Sequence, residues 1–196
     1  MGKVKEILAF WFGEDPEDPF QYQSRWWKKD PAFDQEIRKR FGDDLKRAVE
    51  GEFNSWMETA EGGLALVILL DQFSRNMFRD RPESFAQDKQ ALEIVLQLME
   101  QGLDKELSPV QRWFLYMPMM HSEDPEIHKK SLATYEALWK SAPPQLVKSL
   151  KSAFDYAEKH AAIIFRFGRY PHRNAILGRK STPEEKEFLT QPGSSF

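Results

Sequence analysis

The sequence predicts an all-α fold of seven to eight helices packed as antiparallel hairpins. Three observations predict it. Apolar residues recur three and four apart through most of the chain, helix start and stop signals bracket nearly every such run, and no run alternates apolar and polar residues with a β-branched bias. At 196 residues, 41% hydrophobic and 30% charged, residues 1–196 fit one helical domain whose core needs no staples.

Taken in order, Val4, Ile7, Leu8 and Trp11 form a helical stripe that ends at Gly13. An acidic loop with Glu14, Asp15, Glu17 and Asp18 around Pro16 and Pro19 follows. Asp30-Pro31 supplies an N-cap and a first-turn proline to a helix carrying Phe33, Ile37, Phe41, Leu45 and Ala48 as far as Gly51. Leu64 to Leu70 is apolar on every face, which marks a buried helix; its next turns bring polar groups to the edge of the core. Ser84 with Gln87 reads as a capping box for the run Ala91, Leu92, Val95 and Leu98, closed by Gly102, and Ser108 with Gln111 repeats that signature. Pro118 removes a hydrogen bond from a Met-rich helix and predicts a kink. Asp124-Pro125 opens a helix with Leu132, Tyr135, Leu138 and Trp139, and Pro143-Pro144 separates it from Val147, Leu150, Phe154, Ala157, Ala161 and Ile164. Gly168 ends that helix in a left-handed conformation, and Thr182-Pro183-Glu184-Glu185 is a capping box for a short last helix.

Composition narrows function. A net charge of −3 argues against nucleic acid as a partner. The absence of cysteine excludes disulfides, thiolate catalysis and Cys-ligated zinc. The start of the chain is amphipathic rather than a signal core, and the longest apolar run, Leu64 to Leu70, is too short for a bilayer. These features predict a cytoplasmic protein with no membrane partner. Local charge is less even: Lys159 to Thr182 holds six Lys or Arg, two His and no acidic residue.

Three segments carry the candidate chemistry. The first places Asp71, Arg75 and Arg79 on one helical stripe beside Gln72 and Asn76, as an internal network or a ligand-facing set. In the second, His121 and Glu123 lie at a helix end with metal-capable His-x-Glu spacing, while Ser122 and Asp124 suit a cap. The third runs from Phe165 to Arg179 and is dense in guanidinium forks: Arg166, Arg169 and Arg173, with His172 and Asn174. Such forks suit carboxylates and phosphates, or equally the carboxylates and carbonyls of neighbouring helices. His160 lies on the apolar side of the preceding helix, as a core histidine or a ligand. Phe196 joins an aromatic ring to a carboxylate that either docks on this basic loop or frays.

The blocks Ile7 to Gly13, Arg25-Trp26-Trp27, Leu69 to Asn76, Tyr116 to Glu123, Arg166 to Asn174 and Leu177 to Thr182 resemble, in order and over nearly the whole chain, the bacterial domain-of-unknown-function family 924. The resemblance implies a tetratricopeptide-like helical fold and no assigned activity. His128 stands where that family commonly has Gln, so no shared role is expected of it.

Two active readings and one passive one follow. In the first, an Arg/His-rich pocket built from Arg75, Asn76, Arg79, Arg166, Arg169, Arg173 and Asn174 binds an anionic small molecule or peptide. In the second, the chain is a hydrolase in which His121, Glu123, His160 and His172 form a metal site or an acid/base set, with Asp71 as the orienting carboxylate. In the third, the same blocks are packing devices of a scaffold for protein partners. The sequence names no cofactor and no oligomeric state.

Overall fold

The structure is a computed structural model that describes residues 2–15 and 18–195; Phe196, and Pro16 and Glu17 of the acidic loop, lie outside the described residues. The chain is all-α, with no strand among the described residues. Its helices are α1 (Gly2–Phe12), α2 (Gln23–Trp26), α3 (Pro31–Val49), α4 (Ala60–Val67), α5 (Ser74–Met77), α6 (Asp88–Gln101), α7 (Pro109–Leu115), α8 (Met117–His121), α9 (Pro125–Lys140), α10 (Val147–Phe167) and α11 (Pro183–Phe188). They fall into two compact units, one of Met1–Arg79 with Glu83–Pro118, the other of Asp80–Pro82 with Met119–Phe196.

The caps sit where local chemistry puts them. Asp30 accepts from the amides of Ala32 and Phe33 at the start of α3. Ser108 and Gln111 complete a reciprocal capping box on α7, as do Thr182 and Glu185 on α11. Asp124 caps α9 through the Glu126 amide, and Gly102 and Gly168 close α6 and α10 in the left-handed region, at φ 75° and 67°. The Ser84–Gln87 box does not form. Pro82–Phe85 turns as a 3₁₀ helix, Ser84 is buried, and α6 starts at Asp88 without a side-chain cap. At Pro118 the helix is interrupted: α7 ends at Leu115 and α8 begins at Met117, because proline has no amide to continue the ladder.

In the first unit the apolar run behaves as its composition demands. Every residue from Leu64 to Leu70 is 0–1% exposed. The helix continues from α4 through a π-helical turn, Ile68–Phe73, directly into α5. Around it pack the aromatic rings of Phe10, Trp11, Phe33, Phe41, Phe73 and Phe114, mostly edge-to-face or tilted, with centroids 4.8–6.4 Å apart where they touch. In the second unit α9 and α10 fold back on each other as an antiparallel hairpin. Trp139 near the end of α9 meets Phe154 early in α10, while His128 near the start of α9 meets Phe165 near the end of α10.

Close packing on α4 yields a test of opposite signs for one substitution. A Cβ on Gly62 falls 2.2 Å from the Trp56 carbonyl oxygen, a backbone atom that cannot step aside. A Cβ on Gly42, inside α3, meets nothing within 4 Å. Gly62→Ala is expected to lower the urea-unfolding free energy by about 3 kcal/mol, whereas Gly42→Ala should raise it by roughly 0.5–1 kcal/mol. A neutral Gly62→Ala would contradict the packing described.

Candidate functional site

The first polar segment lies wholly in the first unit. Because the π turn runs through the core, Asp71, Gln72 and Ser74 are inside it rather than at its edge; Asp71 is 0% exposed. A buried carboxylate requires charge and donors nearby. Arg75 supplies both, pairing with Asp71 at 2.7 Å and with Asp88 at 2.9 Å, while the Gln72 amide donates to Asp71 at 2.5 Å. One turn on, Arg79 donates two hydrogen bonds to Asp34 (2.8 and 2.9 Å) and Asn76 a third (2.8 Å). Arg75, Asn76 and Arg79 thus grip carboxylates of α3 and α6. Burial pushes Asp34 up, yet the hydrogen bonds from Arg79 and Asn76 and the charges of Arg79 and Lys29 outweigh it and hold the carboxyl below its ordinary value.

The second and third segments meet in the second unit. Arg179 donates to both oxygens of Glu123 (2.6 and 2.9 Å), and the Tyr170 amide donates to the same carboxylate at 2.8 Å. Burial pushes Glu123 up, yet these donors outweigh it and hold the carboxyl below the usual range. Arg179 also donates to Asn174 Oδ1 (2.9 Å) and the Tyr170 carbonyl (3.1 Å). Arg169 forks onto Glu185 at 2.6 and 2.8 Å, and this guanidinium is the main cause that holds Glu185 at about 2. Asn174 adds a bond to Glu185 and one to Ser181. Arg166 donates to Glu184 on the surface.

Three of the four histidines of the chain pack round Tyr170, and the fourth, His121, lies against His160. Ring centroids lie 5.4 Å from Tyr170 to His172, 5.8 Å to His160 and 6.2 Å to His128, and His121 is 6.3 Å from His160. The Tyr170 hydroxyl donates to the Met120 carbonyl. His128 Nε2 donates to the Ser122 carbonyl at 2.8 Å and His160 Nδ1 to the Tyr156 carbonyl at 2.7 Å, since a carbonyl can only accept. Each tautomer is thereby pinned. The buried Arg173 guanidinium sits 4.5 Å over the Tyr170 ring. Desolvation is the leading cause that lowers His128, and that takes His160 to about 3 and His172 to about 4; the charge of Arg173 adds to the effect in all three.

Among the described residues no three His, Asp or Glu side chains are grouped so as to hold a metal ion, so His121, Glu123, His160 and His172 do not form a ligand set. Sequence reasoning gave no site role to Tyr170, on which three histidines converge, nor to Arg179. Both stand in the third segment, but their partners are distant in the chain.

The family model of the bacterial protein of unknown function DUF924 matches residues 7–193. A solved structure of a protein of unknown function from Agrobacterium tumefaciens is 34% identical, covers 96% of this chain and 97% of its own, and superposes with a TM-score of 0.82. No curated protein matches. No helix among the described residues is long and apolar enough to cross a membrane. With the model spanning nearly the whole chain, the protein belongs to the bacterial family DUF924.

Proposed function

We propose that the protein binds a small anion, a phosphate or a dicarboxylate, at the histidine assembly of its second unit. The observation that carries this reading is Arg173, a buried guanidinium stacked on Tyr170 and ringed by imidazoles whose protonation its field opposes. An anion there would meet the positive potential of Arg173, the ring N–H groups of His128 and His160 being already given to the Ser122 and Tyr156 carbonyls. His172 and Arg179, at the edge of the assembly, are each partly exposed. The guanidiniums of Arg75, Arg79, Arg166 and Arg169 are engaged by carboxylates of the chain itself and serve as ties.

Binding is favoured over acid/base hydrolysis by proton affinity. A general base works best with a pKa near the operating pH. His160 at about 3 and His172 at about 4 stay neutral and hold protons too weakly for that role. They are suited to hydrogen bonding.

The test is thermal unfolding with inorganic phosphate or succinate. An anion present at a hundredfold its Kd stabilises the native state by about 2.7 kcal/mol, which raises the midpoint of a chain this size by roughly 5–10 °C. Arg173→Lys and His172→Asn should abolish the rise, and Arg166→Ala should leave it intact. No rise with either anion, or an equal rise in Arg173→Lys, would sink the proposal.

Acid stability supplies a second check. Above pH 6.5 His160 is neutral folded and unfolded, so it contributes nothing. Below that value the unfolded chain takes up a proton that the folded one refuses, and stability falls with pH. At pH 5, which is 1.5 units under 6.5 and still above the folded value, His160 alone is expected to cost about 2 kcal/mol. The depressed carboxylates Glu123 and Glu185 act only below about pH 4.5. Urea unfolding at pH 7, 6 and 5 should show the decline, and His160→Gln should lessen it by the share of His160, leaving that of His128 and His172. A level profile in the native sequence would show that these histidines are not held neutral.

A further inference from the structure

The Arg25-Trp26-Trp27 block lies in the first unit and takes no part in the histidine assembly. Trp26 faces inward: it is buried, its indole N–H donates to the Trp11 carbonyl at 2.9 Å, and its ring meets Phe114 at 4.6 Å. Trp27 stacks on Trp113 at 5.5 Å. With these two rings anchored, Arg25 and Lys28 are directed to the outer side of the turn between α2 and α3. There they line a recess of about 320 Å³ with Ser24, Asp30, Phe33 and Glu36. That volume sits at the small end of ligand pockets.

The electrostatics of the recess are mixed in sign. Arg25 lies 4.2 Å over the Tyr22 ring and 5.7 Å from that of Phe33, and neither it nor Lys28 is in an ion pair among the described residues. A stacked guanidinium keeps its N–H donors in the plane of the fork, pointed away from the rings, in the geometry that meets a carboxylate bidentately. On the acidic side, Asp30 caps α3 through Oδ1 alone, and Glu36 has only a loose pair with Arg40 at 3.5 Å. Two carboxylates in the lining oppose a phosphate dianion but welcome an ammonium group. Phe33 and Ala32 supply the apolar part.

We propose that this recess binds a free α-amino acid as its zwitterion, with the carboxylate on Arg25 and Lys28, the ammonium on Glu36 and Asp30, and an apolar side chain toward Phe33. The site is separate from the histidine assembly and does not depend on it. Isothermal titration at pH 7 with L-leucine, acetate and butylamine tests it. L-leucine should bind saturably, and acetate and butylamine, which each carry one of the two charges, should bind at least tenfold more weakly. Arg25→Gln and Glu36→Gln should each weaken L-leucine tenfold or more, with Lys28→Gln as a milder second probe of the cationic side. His172→Asn should leave L-leucine binding unchanged. Acetate as tight as L-leucine, wild-type affinity in Arg25→Gln, or no heat at millimolar L-leucine would each overturn the assignment.

Discussion

The carboxylate of Glu123 receives the fork of Arg179 and the amide of Tyr170, so one side chain just past α8 ties both ends of the segment that follows α10. That tie decides where Tyr170 stands. Once its amide is fixed, its hydroxyl reaches the Met120 carbonyl, and its ring becomes the surface on which three histidines and Arg173 pack. The pair is only part-exposed, at 25% for Arg179 and 28% for Glu123. Removing one partner of such a pair leaves a charge without compensation, which costs more than the pair itself contributes. The histidine assembly therefore rests on an ion pair that contains no histidine.

Charge in this chain is resolved in three dimensions rather than along the sequence. The stretch from Lys159 to Thr182 carries no acidic residue, yet Glu123, Glu184 and Glu185 arrive from either side of it to receive Arg179, Arg166 and Arg169. The first unit repeats the device around its buried helix, where Asp71 and Asp88 receive Arg75 and Asp34 receives Arg79. The exposed Arg166–Glu184 pair contributes little to stability, whereas the part-buried forks fix geometry.

Features governed by neighbours three or four residues away were legible in the sequence. The caps at Asp30, Ser108, Asp124 and Thr182, the glycine stops and the burial of Leu64 to Leu70 are of that kind. The Ser84 box failed because Pro82 starts its own 3₁₀ turn and draws the hydroxyl into the interior. The π turn has no local signature; it is imposed by packing on every face. Partners separated by 45 residues, as Asp34 and Arg79 are, or by 56, as Glu123 and Arg179 are, leave no trace in spacing. Sequence therefore pointed to Arg75, Arg79, Arg166 and Arg169 and could not say that carboxylates of the chain already occupy them.

Aromatic stacking does not sort them either. Arg40 over Phe10, Arg47 over Phe53 and Arg166 over Phe167 all combine a ring on the face of the guanidinium with a carboxylate on its edge, from Glu6, Glu52 and Glu184. The ring holds the plane and the acid closes the fork, so the side chain is spent on structure. Arg25 has the same face contact on Tyr22, but its edge opens on a recess instead of a carboxylate. What separates Arg25 from these ties is the open edge of its fork. Only the folded chain, with its distant acids brought into place, reveals it.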